Sequence, residues 1–255
     1  MRSKLLMWNE LKFFIESLKS LSVSQSLTLG RDECFCVSTN CSWESWVCYP
    51  DSINNAQEIR NAVDFFKARD ISFMWPLYDD NDSKLLEQSG LVYAGKLEAM
   101  TLEPDKAVTN KANPDVIIKP VTNHELAGQW AETAWSAFSS FGEENEETSA
   151  NYYAMFDAFL SHENFSLYLA YLDDKPAGTF IITHEKALTG VYYFATLHEF
   201  RRRGVAASMM REICRLSDGK TIALQATPMG FNFYKGFGFE DLFAIKVYST
   251  EPDIF

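Results

Sequence analysis

A short turn carries the residues that most clearly indicate chemistry in this chain. Arg201 and Arg203 stand beside Gly204 and Ala206, between an apolar run at residues 191–197 and a stretch with helical periodicity. An apolar strand that leads into a helix leaves several backbone N–H groups without partners, and such groups bind phosphate. The arginines add positive charge, and the small residues keep side-chain bulk away from an approaching pyrophosphate. The sequence therefore predicts a binding site for cofactor phosphates at this turn.

The same segment resembles the acyl-CoA-binding signature of the GNAT superfamily of N-acetyltransferases, which is Arg/Gln-x-x-Gly-x-Gly/Ala after a central strand. The match in this chain is Arg201, Gly204 and Ala206. Residues 225–230 follow at the distance of one helix, and Tyr234 precedes an aromatic-glycine close, as in that superfamily. The resemblance extends over residues 116–249. It implies an α/β fold with a mixed, mostly antiparallel central sheet flanked by helices, and acetyl-CoA as cosubstrate.

The resemblance also implies where the cofactor lies. Its pantetheine arm is expected along the strand 191–197, pairing with backbone groups of Ala195 and Leu197, where this strand diverges from the next and opens a wedge. A backbone N–H near Ala195 would polarise the thioester carbonyl, and the N–H groups of residues 202–207 would receive the pyrophosphate. The residues expected to bind the cofactor are Ala195, Thr196, Leu197, Arg202, Arg203, Gly204, Val205, Ala206, Ala207 and Asn232.

Tyr234 is the general acid that the resemblance implies, because it lies four residues before the closing glycine. A phenol with a pKa near ~10 is protonated at neutral pH and can donate its proton to the departing CoA thiolate. The alternative is a buried aromatic side chain that packs on Phe231 or Phe237. Asn232 also has two interpretations, a hydrogen bond to the cofactor or a position in a turn. The alternative for the arginines is a solvated basic turn.

The general base that would deprotonate the amine is not determined by the sequence. His198 and Glu199 lie in the turn before the arginines, His184 and Glu185 end a strand, and an acidic run occupies residues 143–147. Each of these has a structural explanation as well, because turns are polar and acidic residues favour helix N-termini. A chain of water molecules is a further alternative.

The composition describes an acidic chain that is rich in aromatic residues. It has 255 residues, of which 47% are hydrophobic and 15% aromatic, enough to build a sizeable core. The formal charge of −12 argues against a general nucleic-acid binder, which needs a basic surface. A small-molecule or peptide amine is the expected acceptor, but the sequence does not identify it. A homo-oligomer is compatible with the sequence.

The cysteines and the N-terminus bear on metals and on location. Cys34, Cys36, Cys41 and Cys48 lack the paired spacing and the nearby histidine of a zinc site, so no metal is predicted. The N-terminal segment begins like a signal peptide, but polar residues interrupt it early, and no run approaches the roughly 20 apolar residues of a membrane span. We therefore expect a reduced, cytoplasmic protein that does not bind membranes. Apolar residues recur at helical spacing and predict an amphipathic N-terminal helix: Leu5, Trp8, Leu11, Ile15 and Leu18.

The order of elements divides the chain into two halves. Residues 104–115 are polar and contain two prolines, which is typical of a linker. The strand predicted at 71–76 and the helix at 82–89 repeat, in weaker form, the order of a strand at 221–225 and a helix at 230–235. We therefore expect a smaller, diverged GNAT-like α/β domain at 1–103, without the phosphate-binding turn, and an acetyltransferase domain at 116–255.

Further elements follow from periodicity and turn residues. Helices are predicted at 55–69, from Asn123 to about 138, at 149–160 and at 205–215. Strands are predicted at 34–37, 45–49, 97–102, 116–120, 166–171, 178–183, 191–197 and 243–248.

These expectations converge on one function. The chain is predicted to be an N-acetyltransferase that transfers an acetyl group from acetyl-CoA to an amine by direct attack, with Tyr234 as general acid. The alternative is a non-catalytic acyl-CoA-binding module or regulatory pseudoenzyme. A dinucleotide-binding protein of the Rossmann type is disfavoured because Gly-x-Gly-x-x-Gly does not occur.

Overall fold

The computed structural model describes residues 2–41, 44–49, 53–77, 83–109, 111–138 and 146–252, with side chains of 2–3 and 146–149 left aside. The acidic run at 143–147, a set of candidate bases, therefore lies outside the described side chains. The helices are α1 Arg2–Lys19, α2 Ala56–Lys67, α3 Ser83–Gln88, α4 His124–Phe138, α5 Glu146–Leu160, α6 Val205–Leu216 and α7 Pro228–Lys235. The strands are β1 Gln25–Leu29, β2 Arg31–Ser38, β3 Ser45–Cys48, β4 Trp75–Leu77, β5 Val92–Leu102, β6 Ile117–Pro120, β7 Phe165–Leu172, β8 Lys175–Thr183, β9 Leu188–Thr196, β10 Thr221–Ala226 and β11 Glu240–Ser249.

The predicted fold class is confirmed: helices flank a mixed, mostly antiparallel sheet. The prediction missed β1, because most of its residues are exposed and only two of them, Leu27 and Leu29, are apolar. It also started α7 too late, since Thr227 caps this helix and Pro228 occupies its first turn.

The chain folds as two compact units, and each unit is made of two separate segments of the sequence. The first unit contains Met1–Glu10 and Ala99–Leu242, and the second contains Leu11–Glu98 and Phe243–Phe255. The predicted linker, 104–115, lies within the first unit, where Pro104–Lys106 forms a 3-10 turn and the Val108 N–H donates to Phe237 O (2.9 Å). The domain boundaries at 103 and 116 stay a prediction, and the compact units do not follow them at either terminus.

The second unit has its own apolar core. Helix α2 begins at Asn55, whose Oδ1 accepts from the Gln57 N–H at 3.0 Å, and it buries Phe66 against Phe73 with stacked rings 4.3 Å apart. Cys34 and Cys36 on β2 are fully buried and carry no disulfide. Burial raises the pKa of the Cys36 thiol. These cysteines therefore behave as small apolar core residues.

The first unit contains five neighbouring strands in the order β10-β9-β8-β7-β6. One apolar cluster joins Met209 and Ile213 of α6 to Phe180 and Ile182 of β8 and to Leu224 of β10. Elsewhere in the unit, Trp130 of α4 meets Phe156 of α5 at 4.4 Å between ring centroids and donates its indole N–H to Tyr168 O (3.0 Å). Helix α4 begins after Asn123, as predicted, because Asn123 Oδ1 accepts from the Leu126 N–H (2.9 Å).

Candidate active site

Strands β9 and β10 run side by side only at their beginning. They pair in parallel from Leu188 with Thr221 to Gly190 with Ala223, and no further pairs join them among the described residues. Both strands nevertheless continue, β9 to Thr196 and β10 to Ala226. The gap that opens here, between residues 191–196 and 224–226, is called the wedge below. Strands that part in this way leave backbone N–H and C=O groups available to a ligand.

A β-bulge shapes the β9 side of the wedge. Ile181 pairs with Tyr192 and Thr179 with Ala195, so two residues of β9, Tyr193 and Phe194, face a single residue of β8. Tyr193 has a φ of 49°, in the left-handed region, and the Thr179 hydroxyl donates to its carbonyl oxygen at 3.0 Å. Bulges redirect backbone groups and are frequent beside active sites. No sequence pattern indicates this bulge, because Tyr and Phe fit an ordinary strand equally well.

At the end of β9, the backbone of one predicted cofactor contact, Leu197, is already hydrogen-bonded within the protein. The Leu197 N–H donates to Ala177 O (3.0 Å), and Leu197 O accepts from the Phe200 N–H (2.9 Å). Both backbone groups of Leu197 are thus engaged, because the chain turns here into a 3-10 helix, and this argues against the predicted pairing through Leu197. Thr196 differs, since its hydroxyl is buried without a hydrogen-bond partner in the described part of the chain. A buried, unsatisfied hydroxyl costs about 1–3 kcal/mol, so a ligand that bonds to it would recover this cost.

Free backbone amides lie at the start of α6. The Arg201 N–H donates to His198 O, and the first helical bond runs from the Ser208 N–H to Gly204 O at 3.0 Å. The intervening amides of residues 202–207 have no acceptor among the described residues. They lie at the positive end of the helix dipole, which favours an anion.

The three arginines beside these amides have different partners. Arg203 pairs with Asp173 at 2.7 Å, and Arg201 Nε donates to Thr196 O at 3.2 Å. Arg202 is exposed, has a φ of 62°, and its guanidinium meets no partner within the described ranges. Of the three, Arg202 is therefore the cation that remains available to a phosphate.

The structure gives Gly204 a role in addition to the predicted one. It has a φ of 82°, and a Cβ at this position would lie 2.6 Å from Lys111 O and 2.8 Å from Asn113 Cβ. Asn113 is held against α6, since Ser208 Oγ accepts from its N–H (2.9 Å) and donates to its carbonyl (3.0 Å). The glycine thus accommodates the chain segment 111–113, and its conformation shapes the turn. The role of the small residue in making room for pyrophosphate stays a prediction.

We expect Gly204→Ala to lower the free energy of unfolding by about 3 kcal/mol, because it adds a steric overlap to the strain of a left-handed residue. Gly219→Ala is the matched control. Gly219 has a similar φ of 79°, but nothing lies within 4 Å of its missing Cβ, so only the strain of about 1 kcal/mol applies. Urea denaturation of both variants measures the difference, and equal losses would contradict the contact with 111–113.

Tyr234 lies on α7 in an aromatic cluster beside the wedge. Its ring centroid is 6.0 Å from Phe194 in the bulge, 5.3 Å from Phe233 and 5.5 Å from Phe239. Phe231 and Phe237, the neighbours named in the predicted packing alternative, belong to the same apolar cluster as Tyr234. No group in the described structure hydrogen-bonds the Tyr234 hydroxyl, and burial raises the pKa of the phenol above its usual value. The phenol is therefore protonated at neutral pH and has its proton free to donate.

Comparison with protein families identifies part of this unit. Residues 163–241 match the sequence model of the acetyltransferase (GNAT) domain, a range that contains the wedge, the free amides and Tyr234. The range 163–241 is called the GNAT domain below, after the model that it matches. Comparison with curated protein sequences gives no significant match.

Solved structures share the fold across both halves of the chain. A GCN5-related N-acetyltransferase from Kribbella flavida aligns with a TM-score of 0.67 and 15% identity, covering 95% of each chain. A GCN5-related N-acetyltransferase-like protein from Streptococcus suis aligns at 0.58 and 10%, covering 97% of this chain and 98% of the other. A tandem GNAT protein from the clavulanic acid biosynthesis pathway aligns at 0.59 and 11%, covering 92% and 86%. The predicted resemblance is thus confirmed, and the N-terminal half also matches GNAT folds.

The predicted bases of the GNAT domain have structural roles or no contact with the wedge. Glu185 Oε2 accepts from the Leu188 N–H (2.8 Å), as an acidic side chain does in a turn. His184 Nε2 lies 2.7 Å from Ser166 Oγ, and burial lowers the pKa of this imidazole. His198 and Glu199 are exposed in the 3-10 turn. Asn232 is exposed on α7, and its side-chain amide makes no hydrogen bond in the described structure.

The structure adds one carboxylate that the sequence analysis missed, Glu10 of α1. Glu10 is fully buried, and its carboxylate is bonded to residues of the GNAT domain. Helical spacing offered an indication, since Glu10 lies three residues after the buried Met7 and four before the buried Phe14. Of the predicted apolar stripe, Leu5 is 61% exposed, whereas the other four members are buried as expected: Trp8, Leu11, Ile15 and Leu18.

Two further searches concern metals and membranes. Within the described residues, no group of three or more His, Cys, Asp or Glu side chains is arranged to hold a metal ion. Among the helices described, none combines the length and apolar character required to cross a membrane.

Proposed function

We propose that the GNAT domain is an N-acetyltransferase that moves an acetyl group from acetyl-CoA to the amine of a small molecule or peptide. The family match and the fold support acyl transfer in general. The observation that carries the proposal is the row of free amides at 202–207 with the unpartnered Arg202 beside it, next to a wedge between two strands. This combination fits the pyrophosphate and the extended arm of an acyl-CoA.

Each part of the site has a distinct task in this proposal. The amides of 202–207 and Arg202 hold the pyrophosphate, while β9 and the Thr196 hydroxyl bond to the amide groups of the arm. Acetyl-CoA supplies the acetyl thioester. A backbone N–H of the bulge near Ala195 polarises the thioester carbonyl, and the Tyr234 phenol provides a proton for the thiolate as the amine attacks directly. The excess negative charge of the chain favours the approach of a cationic amine.

Thermal unfolding with and without acetyl-CoA tests the cofactor assignment, with NAD and ATP as controls. Ligand at about a hundred times its Kd adds roughly 2.7 kcal/mol of stability, which raises the Tm by roughly 5–10 °C. A shift with acetyl-CoA and none with NAD or ATP is the expected result. Absence of any shift with acetyl-CoA would overturn the proposal.

Arg202→Glu locates the site. We expect it to raise the Kd for acetyl-CoA roughly 10- to 100-fold, because it replaces a charge-assisted hydrogen bond to phosphate by repulsion. Arg211→Glu is the matched control, since Arg211 is also exposed, and lies further along α6 from the free amides. Titration calorimetry measures both variants. Equal weakening would mean that net charge, rather than a site at Arg202, governs affinity.

A further inference from the structure

A buried carboxylate lies at the point where β9 and β10 part. Glu10, on α1, has no exposed surface, yet its side chain reaches groups on three strands of the first unit. Its oxygens accept from the Tyr192 hydroxyl (2.9 and 3.0 Å), from Gln225 Nε2 (2.9 Å) and from the Thr183 hydroxyl (3.2 Å). Burying a carboxylate away from water costs free energy unless hydrogen-bond donors compensate it, and here the donors from three strands provide that compensation.

The directions of these hydrogen bonds favour the ionised form. Thr183 Oγ1 accepts from the Gly190 N–H at 3.1 Å, which leaves the hydroxyl hydrogen to point at Glu10. Gln225 donates through its amide nitrogen. Gly190 also makes room for the carboxylate, since a Cβ there would overlap Glu10 Oε1. Glu10 can therefore take up a proton only if one donor changes its role, and Tyr192 can do so because a hydroxyl both donates and accepts.

Position links this group to the wedge. Tyr192 lies two residues beyond Gly190, and Gln225 two residues beyond Ala223, the last pair of β9 and β10. Tyr192 begins the β9 bulge and stays partly exposed, whereas Glu10 is closed off from solvent. The Tyr192 hydroxyl thus connects the buried Glu10 carboxylate to the wedge by a hydrogen bond.

We propose that Glu10 takes up the proton that the acceptor ammonium must lose before it attacks, and that the Tyr192 hydroxyl relays it. This rests on the proposed acetyl transfer. The ammonium gives a proton to Tyr192 Oη as the Tyr192 proton moves to Glu10, which leaves a neutral amine and a carboxylic acid. The amine then forms the C–N bond as the C–S bond breaks. Tyr234 protonates the sulfur and regains a proton from the N–H of the adduct, and Glu10 later returns its proton to solvent by the same route.

The surroundings of Glu10 set the pH at which it works. Desolvation raises the pKa of Glu10 to about 7, and the bonds from Gln225, Tyr192 and Thr183 act against this rise. Among the described residues, the Glu185 carboxylate is a charged neighbour that raises the pKa of Glu10 further. The ionised form, which accepts the proton, is lost as the pH falls below about 7, so turnover should fall on that side.

Glu10→Gln is the first test, since the amide keeps the shape and removes the proton acceptor. The assay measures kcat/KM from pH 5.5 to 9 with the amine that wild type acetylates fastest among spermidine, glucosamine and a lysine peptide. We expect a roughly hundredfold loss at pH 7.5 and no acid limb, with the Kd for acetyl-CoA within about twofold of wild type. Glu16→Gln, a half-exposed carboxyl on the same helix, should leave the profile unchanged.

A second measurement does not depend on activity or on the stability of a Glu10 variant. In infrared difference spectra of the wild type, a carboxylic acid band should titrate near pH 7, and in Tyr192→Phe it should titrate at a higher pH, because the hydrogen bond that lowers the Glu10 pKa is lost. Tyr192→Phe should also lose turnover by a similar factor to Glu10→Gln. Glu10→Gln with a wild-type rate and acid limb would overturn the inference, as would a spectrum without the band. If acetyl-CoA binds but no amine is acetylated, the proposed function fails, and the relay fails with it. If an amine is acetylated but Glu10→Gln keeps the acid limb of the pH profile, the relay fails and the proposed function stands.

Discussion

Tyr234→Phe is expected to lower the turnover of acetyl-CoA at least a hundredfold and to leave its Kd within about twofold of wild type. The reason is that the substitution removes one hydroxyl, which makes no hydrogen bond in the described structure, and leaves the ring contacts with Phe194 and Phe239 intact. The loss therefore concerns the proton for the thiolate rather than the packing of α7. Steady-state kinetics with a thiol-detecting reagent and titration calorimetry measure the two quantities.

The matched control is Tyr93→Phe, which removes a phenol hydroxyl from the second unit, where the side chain is 48% exposed. It should change neither quantity. Unchanged turnover in Tyr234→Phe would instead make Tyr234 a packing residue of the aromatic cluster. A chain that binds acetyl-CoA and acetylates no amine at all would support the alternative of an acyl-CoA-binding module.

The proposed phosphate-binding turn could be predicted from the sequence because its chemistry is local. A strand, a turn and a helix start fix where the amides of 202–207 point, and all of them lie within a short run of chain. Local spacing also placed Tyr234 on a short helix after β10. What remained hidden depends on distant chain. The need for a glycine at 204 comes from residues 111–113, about ninety positions earlier, and no local pattern carries that contact.

The same distinction explains the fold. Helices α4, α5 and α6 follow from apolar periodicity and caps, which are local. The division of each unit into two segments cannot be predicted in this way. A strand such as β11 has the same apolar pattern whichever unit it belongs to. Glu10 combines local and distant information. Its spacing between Met7 and Phe14 is local, whereas the hydrogen-bond donors that compensate its burial are about 170 to 215 residues away.

Glu10 should also make the free energy of unfolding depend on pH, because its pKa of about 7 in the folded chain exceeds the 4.5 of the free side chain. Between these values the folded state holds a proton that the unfolded chain has lost, so the free energy of unfolding should fall as the pH rises from about 4.5 to 7 and then level off. The full change is about 3 kcal/mol, at 1.36 kcal/mol per unit of pKa. The carboxylate is thus a group whose ionisation weakens the fold.

Urea denaturation of wild type and Glu10→Gln at pH 5, 6, 7 and 8 isolates this effect from the titration of all other groups. The stability of the variant relative to wild type should rise with pH by about 3 kcal/mol and reach its plateau above pH 7. Glu16→Gln should run parallel to wild type, as an exposed group does. Parallel curves for Glu10→Gln would mean that its donors offset the cost of burial fully. A carboxylate that destabilises the fold in the very form that accepts a proton is the kind of strain expected at an active site rather than in a structural core.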